Sequence, residues 1–129
     1  MRGLILGFIL VTLGGCKTAS VQHSEDVSAG MDKEAIRHTI HDNLIPIRHC
    51  YEKELKTKPN FTGKLVLEWD VEEKGKVTRV LVKQSADPQV DQCVAEVIKA
   101  AKFPEPPKGQ IGRIVFPFVF SKDDASLKK

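Results

Sequence analysis

Long hydrophobic runs are scarce in this 129-residue chain. Its longest apolar stretch, Leu4 to Leu13, falls well short of the roughly 20 residues a helix needs to cross a bilayer. Catalytic signatures are missing as well. There is no G-x-S-x-G, no H-E-x-x-H and no glycine loop of the kind that cradles phosphate, so the common hydrolase, zinc-protease and nucleotide-binding readings have no motif to stand on. The charge is nearly balanced, with 20 Lys+Arg against 17 Asp+Glu. Both signs are interspersed, and no basic stripe alternates with aromatics, so nothing argues for nucleic acid. Internal repeats are absent. Cysteine is rare too: only Cys16, Cys50 and Cys93.

What is present begins at the N-terminus. Arg2 supplies a positive start, the short apolar run follows, and small residues close it, which is the pattern of an export signal over residues 1–15. The end of that run, Leu13-Gly14-Gly15-Cys16, resembles the lipobox of bacterial lipoproteins, in which the leader is cut before a cysteine that then carries acyl chains. The resemblance implies lipidation at Cys16 and a membrane-anchored periplasmic protein. The alternative is an ordinary leader with an incidental cysteine. Lys17, where Asp would stand in an inner-membrane protein by analogy with enterobacterial sorting, points to the outer rather than the inner membrane.

Residues 17–30 carry only two separated valines among small and polar side chains and cannot bury enough surface to fold, so 16–31 reads as a flexible tether from Cys16. Residues 121–129 form a polar tail. One domain is expected over 32–120, and a unit of about 90 residues buries only about 60–65% of its unfolded surface, so a covalent staple adds much to it. From Asp32, the apolar positions Ile36, Ile40, Leu44, Ile47, Tyr51 and Leu55 recur every three or four residues, one stripe of a helix. Pro46 predicts a kink or a restart between Asn43 and Pro46, and the helix should stop before Pro59. Leu65, Leu67, Trp69 and Val71 alternate with polar residues, and Val77, Val80 and Val82 follow a glycine-containing turn, which together predict a β-hairpin. Asp87-Pro88 supplies an N-cap followed by an N1 proline for a second helix carrying Val90, Val94, Val97 and Ile98. A last strand carries Ile114, Phe116, Phe118 and Phe120 on one face. If the sheet is wholly antiparallel, the last strand must lie beside the first. The expected fold is therefore α+β, two helices packed on a three-stranded antiparallel sheet in the order 2-1-3. Pro117 fits an edge strand there.

Several residues invite a chemical reading. His38, His41, His49 and Cys50 are candidates for a metal, but His41 and His49 are separated by roughly 12 Å of helix, too far for one site. His49 and Cys50 are adjacent and point about 100° apart, which spoils a thiolate–base pair. Glu68, Asp70, Glu72 and Glu73 are expected to be a solvated sheet face rather than an acid–base pair. No cofactor, metal or small-molecule substrate is expected, and no enzymatic activity. In an oxidising compartment Cys50 and Cys93, each on a predicted helix over the same sheet face, are expected to form a disulfide, with two buried thiols as the alternative. Trp69, Phe116 and Phe118 read as core.

The segment GKLVLEWDVEEKGKVTRVLVKQSADPQVDQCVAEVIKAAKFPEPP, followed by IVFPFVF, resembles the TonB C-terminal module. The preceding IPIRHCYEKEL, with Cys93 in the later helix, is more similar still to the cysteine-bearing AgmX/PglI C-terminal domain associated with gliding motility. The resemblance implies a non-catalytic periplasmic module that contacts envelope proteins, with the last strand adding a partner peptide along its edge at Ile111, Arg113, Val115, Pro117 and Val119. TonB itself is coupled to a motor through a membrane helix, and this chain shows only a lipid signal and a tether, so passive binding is expected rather than energy transduction. A structural subunit of an envelope, motility or transport complex, without peptide binding, is the alternative.

Overall fold

Asp32 opens the first helix, accepting hydrogen bonds from the backbone N–H of Glu34 (2.9 Å) and Ala35 (3.2 Å) and so satisfying two donors that a helix start leaves unpaired. This geometry comes from a computed structural model that describes residues 30–122. The expected signal peptide, Cys16, almost all of the expected tether and the tail beyond residue 122 lie outside the described residues. Helix α1 runs Lys33–Asp42, α2 Leu44–Leu55, strand β1 Gly63–Val71, β2 Val77–Gln84, α3 Pro88–Ala100 and β3 Gly112–Phe120.

The predicted interruption at Pro46 is a restart, so the first helical stripe is divided between α1 and α2 and the domain has three α-helices rather than two. Asn43 ends α1, its side-chain amide donating to the Thr39 carbonyl at 2.8 Å. Pro46 then falls in the first turn of α2, where the N–H it lacks would have no helical partner. The first intrahelical bond of α2 runs instead from the Ile47 N–H to the Asn43 carbonyl. Proline has thus set the place of the break without removing a bond.

The sheet has the order β2-β1-β3 with both pairings antiparallel, as the sequence predicts. Leu65, Leu67, Trp69 and Val71 are buried on one face, and the buried residues of all three helices join the same cluster: Ile36 and Ile40, Ile47, Cys50 and Tyr51, then Val90, Val94 and Ile98. Met31, placed in the tether by its neighbours' composition, is part of this core. It packs on Gly112 so closely that a β-carbon there would lie 2.1 Å from the Met31 sulfur. Trp69 sits on the central strand and tilts against the Phe103 ring at 5.3 Å.

The uneven spacing of Val77, Val80 and Val82 has a structural cause. Asp70 faces Arg79 and Val71 faces Val77, so Thr78 is an extra residue in a bulge, and a second irregularity falls between Val66 and Leu67. The bulge keeps Val77 on the same face as Val80. At the turn, Lys74 and Gly75 both have positive φ, and Gly75 lies under the Phe103 carbonyl, while the Phe103 backbone N–H donates to the Gly75 carbonyl at 3.1 Å. A β-carbon at Gly75 would sit 1.9 Å from that oxygen.

Candidate functional site

The helices meet through Cys50 on α2 and Cys93 on α3, which form the expected disulfide with a Cα separation of 5.7 Å. Cys50 is buried against Tyr51, whose hydroxyl donates to the Phe61 carbonyl at 2.7 Å and whose ring stacks on Phe120 at 5.3 Å. Burial pushes the Tyr51 phenol up from its ordinary value, so it stays protonated as a donor. His49 is exposed on the other side of α2 and shares no hydrogen bond with the cysteine. His38 and His41 line a shallow depression on α1 together with Glu34 and Arg37. Among the described residues no group of three or more His, Cys, Asp and Glu is arranged to hold a metal ion.

A second polar knot fixes the start of α3. Asp87 caps the helix through the Gln89 and Val90 N–H groups and takes a short hydrogen bond from the Lys58 ammonium. Asp91, one turn on, accepts from the Ala86 and Asp87 N–H groups and from the Ser85 hydroxyl. The Lys58 ammonium holds Asp87 below the ordinary carboxylate range, against the opposing effect of burial. The Asp87 and Asp91 carboxylates are engaged with backbone N–H groups, Ser85 and Lys58 at the β2–α3 corner, which makes the knot architectural.

The carboxylates of β1 depart from expectation. Glu68 and Asp70 lie on the sheet face away from the helices, but they are not merely solvated: Asp70 is buried and Glu68 nearly so. Arg79 of β2 donates to Asp70 at 2.7 Å and to Glu68 at 2.9 Å, and Arg113 of β3 donates to Asp70 at 2.8 Å. The two arginines close over the acids from either side, a cross-strand arrangement that antiparallel register makes possible because Asp70 faces Arg79 on one strand and Arg113 on the other. The Arg113 hydrogen bond, helped by Arg79 and opposed by burial, holds the Asp70 carboxyl below its ordinary value. Sequence reasoning placed Arg113 on the partner-binding edge and did not name Arg79, and it paired neither arginine with these acids. Their only signal was the register, which periodicity does not contain.

The remaining feature is the outer edge of β3. Its pairing with β1 runs without a shift from Gly63 opposite Phe120 to Val71 opposite Gly112. Among the described residues nothing pairs with its other side. At about 3.4 Å per residue, nine residues give an edge of roughly 30 Å. Pro117 is accommodated when its nitrogen faces away from β1, and strand alternation then turns the backbone groups of Arg113, Val115 and Val119 outward with it. Ile111, just before β3, is strongly exposed, and so is Val119. The opposite edge, on β2, is interrupted by irregular register at two places, a common way of blunting an edge. Of the expected edge residues, Arg113, Val115, Pro117 and Val119 therefore lie on one regular strand with no other pairing among the described residues, and Ile111 immediately precedes it, while Cys16 falls outside the described residues.

No protein-family model matches the chain, and no curated protein matches it. Comparison with solved structures finds the NMR solution structure of the Helicobacter pylori TonB C-terminal domain, similar at a TM-score of 0.44 and 19% identity over 73% of this chain and 96% of that one.

Proposed function

We propose that this chain is a lipid-anchored, non-catalytic protein-binding module of the bacterial cell envelope, held in the periplasm through Cys16, and that it takes a partner by adding an extended segment to the free edge of β3. One observation carries the proposal: β3 is regular along its whole length and, among the described residues, unpaired on its outer side, whereas β2 is bulged. Backbone hydrogen bonds along such an edge give affinity, and alternate side chains give selectivity. The export leader, the lipobox-like Leu13-Gly14-Gly15-Cys16 and the sequence resemblance to AgmX/PglI-type C-terminal domains support the envelope setting.

The test is a photo-crosslinker at Val119 in cells, compared between the unaltered chain and Val115→Pro. Proline at position 115 removes an outward N–H and places a ring in the path of an incoming strand, without taking a donor from the β1 ladder. The adduct should disappear in Val115→Pro and persist in Val115→Thr, with both variants retaining the parent melting temperature. An adduct pattern unchanged by Val115→Pro would refute edge addition. Anchoring is tested separately, because Cys16→Ser should move the protein out of the membrane fraction.

A further inference from the structure

The sheet face that the helices leave uncovered is a second surface, which shares the side chains of Arg113, Val115, Pro117 and Val119 with the β3 strand and extends across β1 and β2. Within the strands it carries four basic residues, Lys64, Arg79, Lys83 and Arg113, and two acidic ones, Glu68 and Asp70. The two signs are not equally visible to solvent. Side-chain exposure is 13% for Glu68 and 10% for Asp70, against 40% for Arg79, 53% for Lys83 and 55% for Arg113. Lys64 is exposed as well. The acids lie beneath the bases, so what faces outward is positive charge. Between the bases lie apolar side chains, with Leu81 and Val119 exposed and Val66, Val115 and Pro117 half-buried.

A basic rim around an exposed aliphatic patch is the composition of a surface that lies on anionic lipid headgroups. We propose that this open face docks flat on an anionic phospholipid membrane, Lys64, Lys83 and the outer face of Arg79 meeting phosphates while Leu81 and Val119 enter the headgroup layer. Two further observations favour a membrane over other occupants. A second copy of the chain would bring the same positive face against itself, where like charges repel. The chain enters the domain at the Arg113 end of the sheet, where Met31 packs on Gly112 from the helix-covered side. Between Cys16 and Gly30 the polypeptide can span at most about 50 Å even fully extended, which keeps the domain close to any membrane that holds an acylated Cys16. This last argument rests on the anchoring proposed above, whereas the composition of the face does not.

The experiment uses the chain from Lys17 to Lys129, without leader or acyl group. Every member of the described core lies between Met31 and Phe120, so this chain retains it whole. Co-sedimentation with vesicles of phosphatidylethanolamine containing one-third phosphatidylglycerol is compared with vesicles of phosphatidylcholine alone. Binding should appear only on the anionic vesicles and weaken as salt is raised. Each basic residue near such a surface is worth about fivefold in partition, so Lys64→Glu/Lys83→Glu should lower binding by at least twenty-five-fold by the same rule, with the parent melting temperature retained. Val119→Ser, which leaves every charge in place, should lower it by a smaller factor. Equal binding to both vesicle types, no binding to the anionic ones, or binding untouched by Lys64→Glu/Lys83→Glu would overturn the proposal. Binding to soluble polyglutamate without binding to vesicles would overturn it in favour of an acidic protein partner. Because the tested chain carries no acyl group, failure of lipidation at Cys16 leaves this result intact, and metabolic labelling with palmitate reports on lipidation by itself.

Discussion

Removing the disulfide by Cys50→Ala/Cys93→Ala tests how a domain this small is held together. The two cysteines are separated by 43 positions, and they join α2 to α3 across the sheet face. In the chain-entropy account, a closed loop of about 44 residues removes roughly 13 cal/mol/K from the unfolded ensemble, or about 4 kcal/mol at 25 °C. A domain of the described size has a total stability of about 5–14 kcal/mol, so the bridge supplies more than a quarter of it. At about 4–8 °C per kcal/mol, the melting temperature should fall by roughly 15–30 °C. The assay is urea unfolding followed by tryptophan fluorescence, since Trp69 is fully buried in the native state. The double variant should have a lower midpoint, and adding reductant should shift the parent midpoint toward it while leaving the variant unmoved. A loss below about 1 kcal/mol would refute the reasoning, because side-chain packing between α2 and α3, or a compact unfolded state, would then be holding the helices without the covalent link.

Gly75→Ala should cost about 3 kcal/mol, from left-handed backbone strain and from forcing the Phe103 carbonyl away; a loss under about 0.5 kcal/mol in the same urea assay would show that the turn can relax. Acid should weaken the fold in a defined window. Asp70 and Asp87 are both held below the ordinary value of 3.8 in the folded state, so the unfolded chain binds protons first. Their contribution is complete above about pH 4 and is lost as pH falls through the folded values. Urea midpoints measured against pH should therefore decline below about pH 4, and Asp70→Asn should be less stable at neutral pH and show a shallower decline. Identical acid profiles for the two proteins would contradict the ion-pair account.

Much of the architecture was legible because it depends on residues close together in the chain. Asp87-Pro88 announces a helix start twice over, by local hydrogen bonding and by the fixed backbone of the proline. The alternation from Leu65 to Val71 states both the strand and its buried face. Pro46 marks the break between α1 and α2, although whether the chain would kink or restart depended on which turn the proline fell in. The pairing of Cys50 with Cys93 followed from two cysteines on helices sharing one sheet face.

What the sequence could not display were relations between residues far apart along it. Asp70 and Arg113 are separated by 43 positions, and a shift of one residue in the β1–β3 register would have put Arg113 among the hydrophobic side chains of the core. The bulge at Thr78 is likewise a property of two paired strands rather than of either alone. Helix caps, strand periods and the proline break are short-range physics, and the sequence by itself determined them. Only the tertiary structure decided that the acids of β1 lie beneath arginines, that β3 has the unbroken edge, and that the uncovered face is positive. Each of these depends on which strands become neighbours and in what register.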